Sequence, residues 1–210
     1  MPEKELNWKF ADDCVVEPPA IAEARAQSAE VGVDAVSPAV GAQLAVVAAA
    51  ARADAIVEIG TGTGVSGLWL LRGRPDATLT SIDVEADHQQ LARAAFTAAG
   101  HPAGRIRLIA GRALEVLPRM NEDSYDLVLV DADAASVIEY VEHALRLVRL
   151  GGVVLVTRAL WHDRVANPAR REEREVAFRS LIKEIGRSEA VVSALSPAGD
   201  GLLQIVKLRA

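Results

Sequence analysis

The sequence contains little cysteine, few aromatic residues and no excess of positive charge. A single cysteine, Cys14, excludes a disulfide within the chain, and since no histidine neighbours it we interpret it as an inert thiol. Aromatic residues make up 4% of the chain, and the formal net charge is −6. This charge gives no general electrostatic reason to bind nucleic acid or an anionic membrane, so a small-molecule partner is expected.

Long hydrophobic runs are also missing. The most apolar stretch, residues 39–53, is shorter than a membrane-spanning helix and contains Gln43, and no secretory signal is visible. We therefore expect a cytoplasmic protein that does not insert into a membrane.

The chain is rich in alanine, valine and leucine. Their spacing predicts strands and helices that alternate along the chain. Half of the 210 residues are apolar, which suits one doubly wound α/β domain with a parallel sheet packed between helices. The predicted strands are 55–59, 78–82, 105–109, 126–131 and 152–157, followed by an antiparallel hairpin of 190–195 and 201–208. The predicted helices are 20–30, 38–53, 64–73, 86–99, 112–119, 135–149 and 170–186. Residues 1–30 are predicted to form an N-terminal arm and a short helix, and residues 31–210 the domain.

A glycine-rich turn follows the first strand. Residues 56–59 are an apolar strand with an acid at Glu58, and Gly60-Thr61-Gly62-Thr63-Gly64 leads into a helical pattern. Such a turn lets a ligand approach main-chain amides at the start of a helix. Gly62, Gly64 and Gly67 literally fit the dinucleotide pattern, so a nicotinamide-dependent oxidoreductase stays open. Glu58 argues against it, because a carboxylate repels a pyrophosphate but attracts the cationic amino-acid part of S-adenosylmethionine.

Candidate ligand-binding residues also follow the second and third strands. Asp83 ends the second strand, where an acid can accept both ribose hydroxyls of an adenosine-containing ligand, or can simply be an acid at a helix start. Arg112 and Ala113, after the third strand, could flank an adenine ring or belong to an ordinary turn.

Asp131 and Asp133 end the apolar fourth strand. They place carboxylates at the carboxyl edge of the sheet, although Asp133 could equally be a helix N-cap. The histidines lack metal-ligand spacing. Only His162, after the fifth strand, could reach a substrate and act as a base; the alternative is a surface residue. Neighbouring Asp163 could orient it.

Taken together, these motifs resemble the catechol and caffeoyl-CoA type O-methyltransferase family over residues 30–208. The matching segments are Val36-Ser37-Pro38 with Gly41, Glu58-Ile59-Gly60-Thr61-Gly62-Thr63-Gly64, Ile82-Asp83, Gly111 to Pro118, Asp131-Ala132-Asp133, Gly151-Gly152, Leu160-Trp161 and Gly199 to Leu203. The resemblance implies a class I, Rossmann-like methyltransferase fold with a seven-stranded sheet, S-adenosylmethionine as donor, and a homodimer. The donor-pocket residues that the resemblance implies are Val36, Glu58, Gly60, Ser66, Asp83, Ala113 and Asp131. The motifs described above add Thr61, Gly62 and Gly64 of the glycine-rich turn, and Arg112.

The chain departs from the family pattern in the catalytic half. The family carries a lysine base after the Asp-Ala-Asp motif, where this chain has Ala134, and an Asp-Asn metal-binding pair where it has Thr157-Arg158. Mg²⁺ would be poorly held by Asp131 and water alone, so we expect no tightly bound metal. We hypothesise that the guanidinium of Arg158 replaces the metal charge, neutralising Asp131 or stabilising a substrate oxyanion. The alternative is that Arg158 points to solvent.

Two functions from different classes follow. The first is S-adenosylmethionine-dependent O-methylation of a small acceptor without a tightly bound metal, with Asp131, Arg158 and His162 as catalytic candidates. The second is a catalytically silent S-adenosylmethionine-binding protein that acts through protein contacts, because the usual base and metal ligands are missing.

Overall fold

A computed structural model of the chain describes residues 3–209 and contains one seven-stranded sheet. The strands are β1 (Ala55–Ile59), β2 (Thr78–Asp83), β3 (Ile106–Ala110), β4 (Tyr125–Val130), β5 (Val148–Val156), β6 (Val191–Ser196) and β7 (Leu202–Lys207). Their order is β3-β2-β1-β4-β5-β7-β6; the first five are parallel, and β7 is antiparallel to both β5 and β6. The predicted α/β class, doubly wound sheet and terminal hairpin are confirmed.

Helices cover both faces of the sheet. They are α1 (Glu3–Asp13), α2 (Pro19–Glu30), α3 (Pro38–Ala50), α4 (Val65–Gly73), α5 (Ala86–Ala98), α6 (Ala113–Val116), α7 (Val137–Leu147) and α8 (Glu173–Ile185). Since successive strand residues point to opposite faces, β1 contributes to two hydrophobic clusters. Ile56 packs in a cluster with residues of α2 to α5, and Val57 in one with residues of α6 to α8.

Local sequence explains where several helices begin and end. The hydroxyl of Ser37 accepts a hydrogen bond from the amide of Val40, and Pro38 occupies the first position of α3, as predicted for an N-cap followed by proline. The predicted helix 112–119 is instead the short α6 followed by a 3-10 turn, Leu117–Arg119. Pro118 lacks the amide hydrogen that a continuous α-helix would need.

The N-terminal residues differ from the sequence prediction. Residues 3–13 form α1, a helix that the sequence analysis did not predict, with an ion pair between Lys9 and Asp13 one turn apart. The carboxylate of Asp12 accepts a hydrogen bond from the amide of Ala39, which ties α1 to the start of α3. Helix α2 contributes Ile21 to the core. The division of the chain at residue 30 stays a prediction.

Within residues 3–209, no helix is both long and apolar enough to span a bilayer. Strand β5 begins at Val148, four residues before the predicted start. Its pairing with β4 shifts register between Tyr125 and Leu127, so Val148 pairs with Tyr125 on one side of the shift and Val153 pairs with Leu127 on the other.

Candidate active site

A cavity of about 400 Å³ opens at the carboxyl ends of the parallel strands, above β1 and β4. These two strands are neighbours, but α4 after β1 packs on one face of the sheet and α7 after β4 packs on the other. Such a divergence opens a crevice between the two connections, which is where doubly wound sheets bind ligands. The volume lies within the usual range for small-molecule sites.

The cavity brings together most of the predicted site residues. Those that line it are Val36, Gly60, Thr61, Gly62, Ser66, Asp83, Ala113, Asp131, Arg158 and His162. Three predicted residues, Glu58, Gly64 and Arg112, do not line it. Arg112 is exposed at the N-cap position of α6, and Gly64 caps α4 and packs toward α5.

Main-chain geometry fixes the turn of residues 60–64 against the neighbouring strands. Gly60 has φ of +95°, and its amide donates to the carbonyl of Ile82 at 2.8 Å. A Cβ atom at this position would overlap the carbonyl oxygen of Asp131 and lie 2.8 Å from its carbonyl carbon. Position 60 therefore requires glycine for both its backbone conformation and its close contact with the end of β4.

Asp83 lies at the end of β2 and faces the turn of residues 60–64. One carboxylate oxygen accepts the amide of Gly62 at 2.9 Å, and the other accepts the amide of Glu85 at 2.9 Å. An ionised carboxylate offers about four acceptor sites, so two remain for a ligand. The oxygen that accepts from Glu85 lies at the start of α5, as predicted for an acid at a helix start. The other oxygen contacts Gly62, which lines the cavity.

Glu58 is fully buried beneath the cavity. Its two oxygens accept hydrogen bonds from Ser66 at 2.7 Å and Ser81 at 2.6 Å. Burial, with smaller contributions from the charges of Asp131 and Asp83, raises the pKa of Glu58 to about 8. The prediction of a carboxylate facing a cationic ligand directly needs correction: Ser66 lies between Glu58 and the cavity, and burial favours the neutral acid near neutral pH.

One lip of the cavity, residues 33–36, is held by α2. Arg25 donates to the carbonyl of Val36 at 2.7 Å and forms a two-pronged ion pair with Glu17 at 2.7 and 2.8 Å. Glu17 also accepts from the indole of Trp69 in α4 at 3.3 Å. This network had no sequence signal, because its four members lie in four separate segments of the chain.

Arg158 and Asp131 form an ion pair in the lining of the cavity. The guanidinium donates to a carboxylate oxygen of Asp131 at 2.5 Å, and the hydroxyl of Thr157 donates to the same oxygen at 2.5 Å. The guanidinium also donates to the carbonyl of Asp34, whose carboxylate lies 3.6 Å away. The side chain of Arg158 is only 20% exposed, so it points into the site rather than to solvent.

Asp133 serves as an N-cap. One of its oxygens accepts the amides of Ala135 and Ser136, and the other accepts the hydroxyl of Tyr140 at 2.7 Å. Burial and the bond to Asp133 raise the pKa of Tyr140 to about 12. Of the two predicted roles, the structure therefore shows the capping role for Asp133.

His162 lies at the mouth of the cavity with its side chain 60% exposed. Its partner is not the neighbouring Asp163 but Asp200, in the turn between β6 and β7, whose carboxylate is 3.8 Å from Nδ1. Trp161, also in the lining, stacks on Phe178 of α8 at 5.8 Å between ring centroids. Trp161 therefore has a packing role in addition to facing the cavity.

Metal-ligand geometry is missing from the described part of the chain. Within residues 3–209, no group of three or more histidine, cysteine, aspartate or glutamate side chains could hold a metal ion. Where the resemblance would place a metal beside Asp131, a guanidinium and a hydroxyl donate to that carboxylate instead. The residues present therefore do not fit a divalent cation.

Comparison with known proteins decides the family. The sequence profile of a family described as O-methyltransferase matches residues 14–208. The chain belongs to this O-methyltransferase family. A protein of Mycobacterium tuberculosis named "Probable O-methyltransferase Rv1220c" is 45% identical over 204 residues, covering 97% of this chain and 91% of that protein.

Two solved structures are similar over nearly the whole domain. A protein from Corynebacterium glutamicum superimposes with a TM-score of 0.90 at 30% identity, covering 99% of this chain and 98% of that one. The O-methyltransferase TomG from Streptomyces achromogenes, involved in tomaymycin synthesis and solved in complex with S-adenosylmethionine, gives 0.86 at 27% identity, with 99% of each chain covered. The predicted methyltransferase fold is confirmed, and the literal dinucleotide pattern is explained as part of a methyltransferase turn.

Proposed function

We propose that this O-methyltransferase transfers the methyl group of S-adenosylmethionine to an oxygen of a small-molecule acceptor without a tightly bound metal. Family membership supports the O-methyl transfer, and the bound donor in the TomG structure supports the choice of donor. The proposal that transfer needs no tightly bound metal is supported by one observation, the ion pair between Arg158 and Asp131.

The donor half of the cavity fits an adenosine-containing ligand. Asp83 keeps free acceptor sites for ribose hydroxyls, and the turn of residues 60–62 presents its backbone to the cavity. Val36 and Ala113 offer apolar walls, while Ser66 links the cavity to Glu58. The donor supplies a methyl group that its sulfonium centre already activates.

The acceptor half is built around Arg158. A guanidinium stays protonated at any physiological pH, so Arg158 supplies a permanent positive charge beside Asp131. This charge would stabilise an acceptor oxygen as it loses its proton. Holding that oxygen in place for attack supplies much of the acceleration, since no covalent intermediate with the protein is needed.

The test measures formation of S-adenosylhomocysteine from S-adenosylmethionine with catechol as probe acceptor, in EDTA and in Mg²⁺. Wild type is expected to turn over equally in both. Arg158→Asn is expected to lower turnover at least tenfold, while Arg171→Gln, an exposed arginine that forms no side-chain bond within residues 3–209, serves as the control. Dependence on Mg²⁺ would refute the metal-free mechanism. Donor binding with no turnover on any phenol would favour the catalytically silent alternative.

A homodimer and a cytoplasmic location remain predictions, the first from the family resemblance and the second from composition. Sedimentation velocity on the purified protein measures the first directly. A monomer at micromolar concentration would contradict it.

A further inference from the structure

The backbone of residues 161–163 adopts an unusual conformation. Trp161, His162 and Asp163 have φ values of +44°, +55° and +58°, so three successive residues other than glycine are left-handed. Each such residue costs about 1 kcal/mol or more and persists only where its surroundings enforce it. Clusters of this kind occur at functional sites, where they aim a side chain.

The turn between β6 and β7 enforces this conformation. The carboxylate of Asp200 accepts the amide of His162 at 2.6 Å and that of Asp163 at 3.3 Å. Its carbonyl accepts the amide of Leu160 at 2.8 Å, and the carbonyl of Gly201 accepts that of Ala159 at 3.0 Å. Four hydrogen bonds thus fasten residues 159–163 to two residues of the hairpin turn.

The close contact extends to Gly201. This residue has φ of +90°, and a Cβ atom there would lie 2.7 Å from the amide nitrogen of Leu160. The hairpin turn therefore approaches the strained segment as closely as glycine permits.

The same carboxylate faces the imidazole. An oxygen of Asp200 lies 3.8 Å from Nδ1 of His162, and Asp200 is 22% exposed. Nδ1 is thereby turned toward the hairpin, which leaves Nε2 as the ring nitrogen free to meet a ligand. His162 shares the cavity lining with Arg158, so the two lie on the acceptor side of the site.

We propose that Asp200 is a positioning residue that orients His162, so that Nε2 takes the proton of the acceptor hydroxyl. The inference rests on the proposed function and deepens it, since it assigns the proton acceptor and restricts the substrate to a hydroxyl with an ionisable proton. In this step the acceptor O–H bond breaks, its electron pair stays on oxygen, and neutral imidazole becomes imidazolium beside the Asp200 carboxylate. Bulk water later removes the proton through the exposed face of the ring.

Other charged groups lie near the ring. Arg158, Asp131 and Asp133 share the cavity lining, Asp163 is the next residue in the chain, and Arg174 of α8 lies 5.4 Å above the Trp161 ring, which itself is 5.1 Å from the imidazole. Asp200 differs from them because its ion-pair contact with His162 comes together with two backbone bonds to the same turn.

The experiment compares Asp200→Asn with Asp163→Asn. The amide oxygen introduced by Asp200→Asn can still accept the shorter backbone bond, that from His162 at 2.6 Å, and only the longer bond from Asp163 at 3.3 Å is lost with the charge. Asp163 makes no side-chain hydrogen bond or ion pair within residues 3–209, so its variant is the matched control. Two quantities are measured: the chemical shifts of the His162 ring resonances, assigned with His162→Gln, and the kcat and KM of turnover with catechol.

Asp200→Asn is expected to change the chemical shifts of the His162 ring and to reduce kcat about tenfold with little change in KM, and Asp163→Asn is expected to change neither. His162→Gln is expected to reduce kcat about a hundredfold or more. Full turnover in His162→Gln, or ring resonances unaffected by Asp200→Asn, would overturn the proposal. The resonance measurement needs neither donor nor acceptor, so it decides the Asp200 contact even if the proposed function fails.

Discussion

The two halves of the cavity are built by different means. In the donor half, backbone turns that directly follow β1 and β2 contact each other, and the bonds join main-chain amides to Asp83. In the acceptor half, charged side chains from distant loops form the contacts, as in Arg158 with Asp34 and His162 with Asp200. Backbone turns thus shape the floor of the donor half, whereas the acceptor half adds ion pairs between charged side chains.

The largest expected effect is that of a substitution at Gly60, which tests the backbone contact beneath the donor half. Gly60→Ala drives a Cβ atom into the carbonyl group of Asp131, whereas Gly100→Ala, also at positive φ (+82°), meets nothing within 4 Å. We expect Gly100→Ala to lower the free energy of unfolding by about 1 kcal/mol, and Gly60→Ala by at least about 3 kcal/mol with loss of donor binding. Urea unfolding and donor titration measure both. Equal losses would show that the backbone contact is unimportant.

The buried acid beneath the donor half predicts a pH dependence of stability. With a folded pKa of about 8 against an ordinary value of 4.5, Glu58 holds a proton in the folded state between these pH values and loses it on unfolding. Wild-type stability should therefore fall as pH rises through this window, by up to about 1.4 kcal/mol per pH unit. Glu58→Gln removes this contribution, so its stability relative to wild type should increase with pH.

Urea unfolding at pH 5.5, 6.5 and 7.5 tests this for wild type, Glu58→Gln and the exposed-acid control Glu115→Gln. Parallel pH profiles for wild type and Glu58→Gln would mean that Glu58 is ionised in the folded protein.

Asp83→Asn tests the charge of the donor half. The amide oxygen can keep the bond from Gly62, but the variant loses the bond from Glu85 and the negative charge that a ribose would meet. We expect donor affinity to fall tenfold to a hundredfold, since hydrogen bonds to charged groups contribute about 1.5–3 kcal/mol. Asp87→Asn, in the first turn of α5, should leave donor affinity unchanged. If the two variants bind the donor alike, Asp83 does not contact it.

The smallest effect concerns the lip held by α2. Arg25→Gln removes the bond to the carbonyl of Val36 and the ion pair with Glu17. Loss of about 1 kcal/mol should weaken donor binding by less than about tenfold and leave the fold intact. Calorimetric titration with the donor compares the affinity of Arg25→Gln with that of Arg93→Gln, a control at an exposed arginine of α5. An unchanged affinity would mean that Val36 is positioned by other contacts.

The sequence predicted the donor half better than the acceptor half for a physical reason. Strand β1 matches its predicted bounds, and Gly60 and Asp83 lie where their strand ends imply, because hydrophobic periodicity locates strands and parallel strands share one edge. Contacts such as Arg25 with Val36 and His162 with Asp200 join segments 11 and 38 residues apart through loops. Periodicity carries no information on such pairs.

Helix α1 was missed for a related reason. Its residues are almost all exposed, and Phe10 is 68% exposed, so the segment has no buried stripe from which a helical period could be read. Arg158 was singled out only because the chain departs from the family pattern there, and its contact with Asp34 had no sequence signal.

The most direct test of the account is a calorimetric titration of the dialysed wild-type protein with S-adenosylmethionine, once in EDTA and once in Mg²⁺. We expect saturable binding with the same dissociation constant in both buffers, since the proposed donor half contains no metal ligand and Arg158 is proposed to supply the charge that a metal would provide. Binding that appears only with Mg²⁺, or no binding in either buffer, would contradict it.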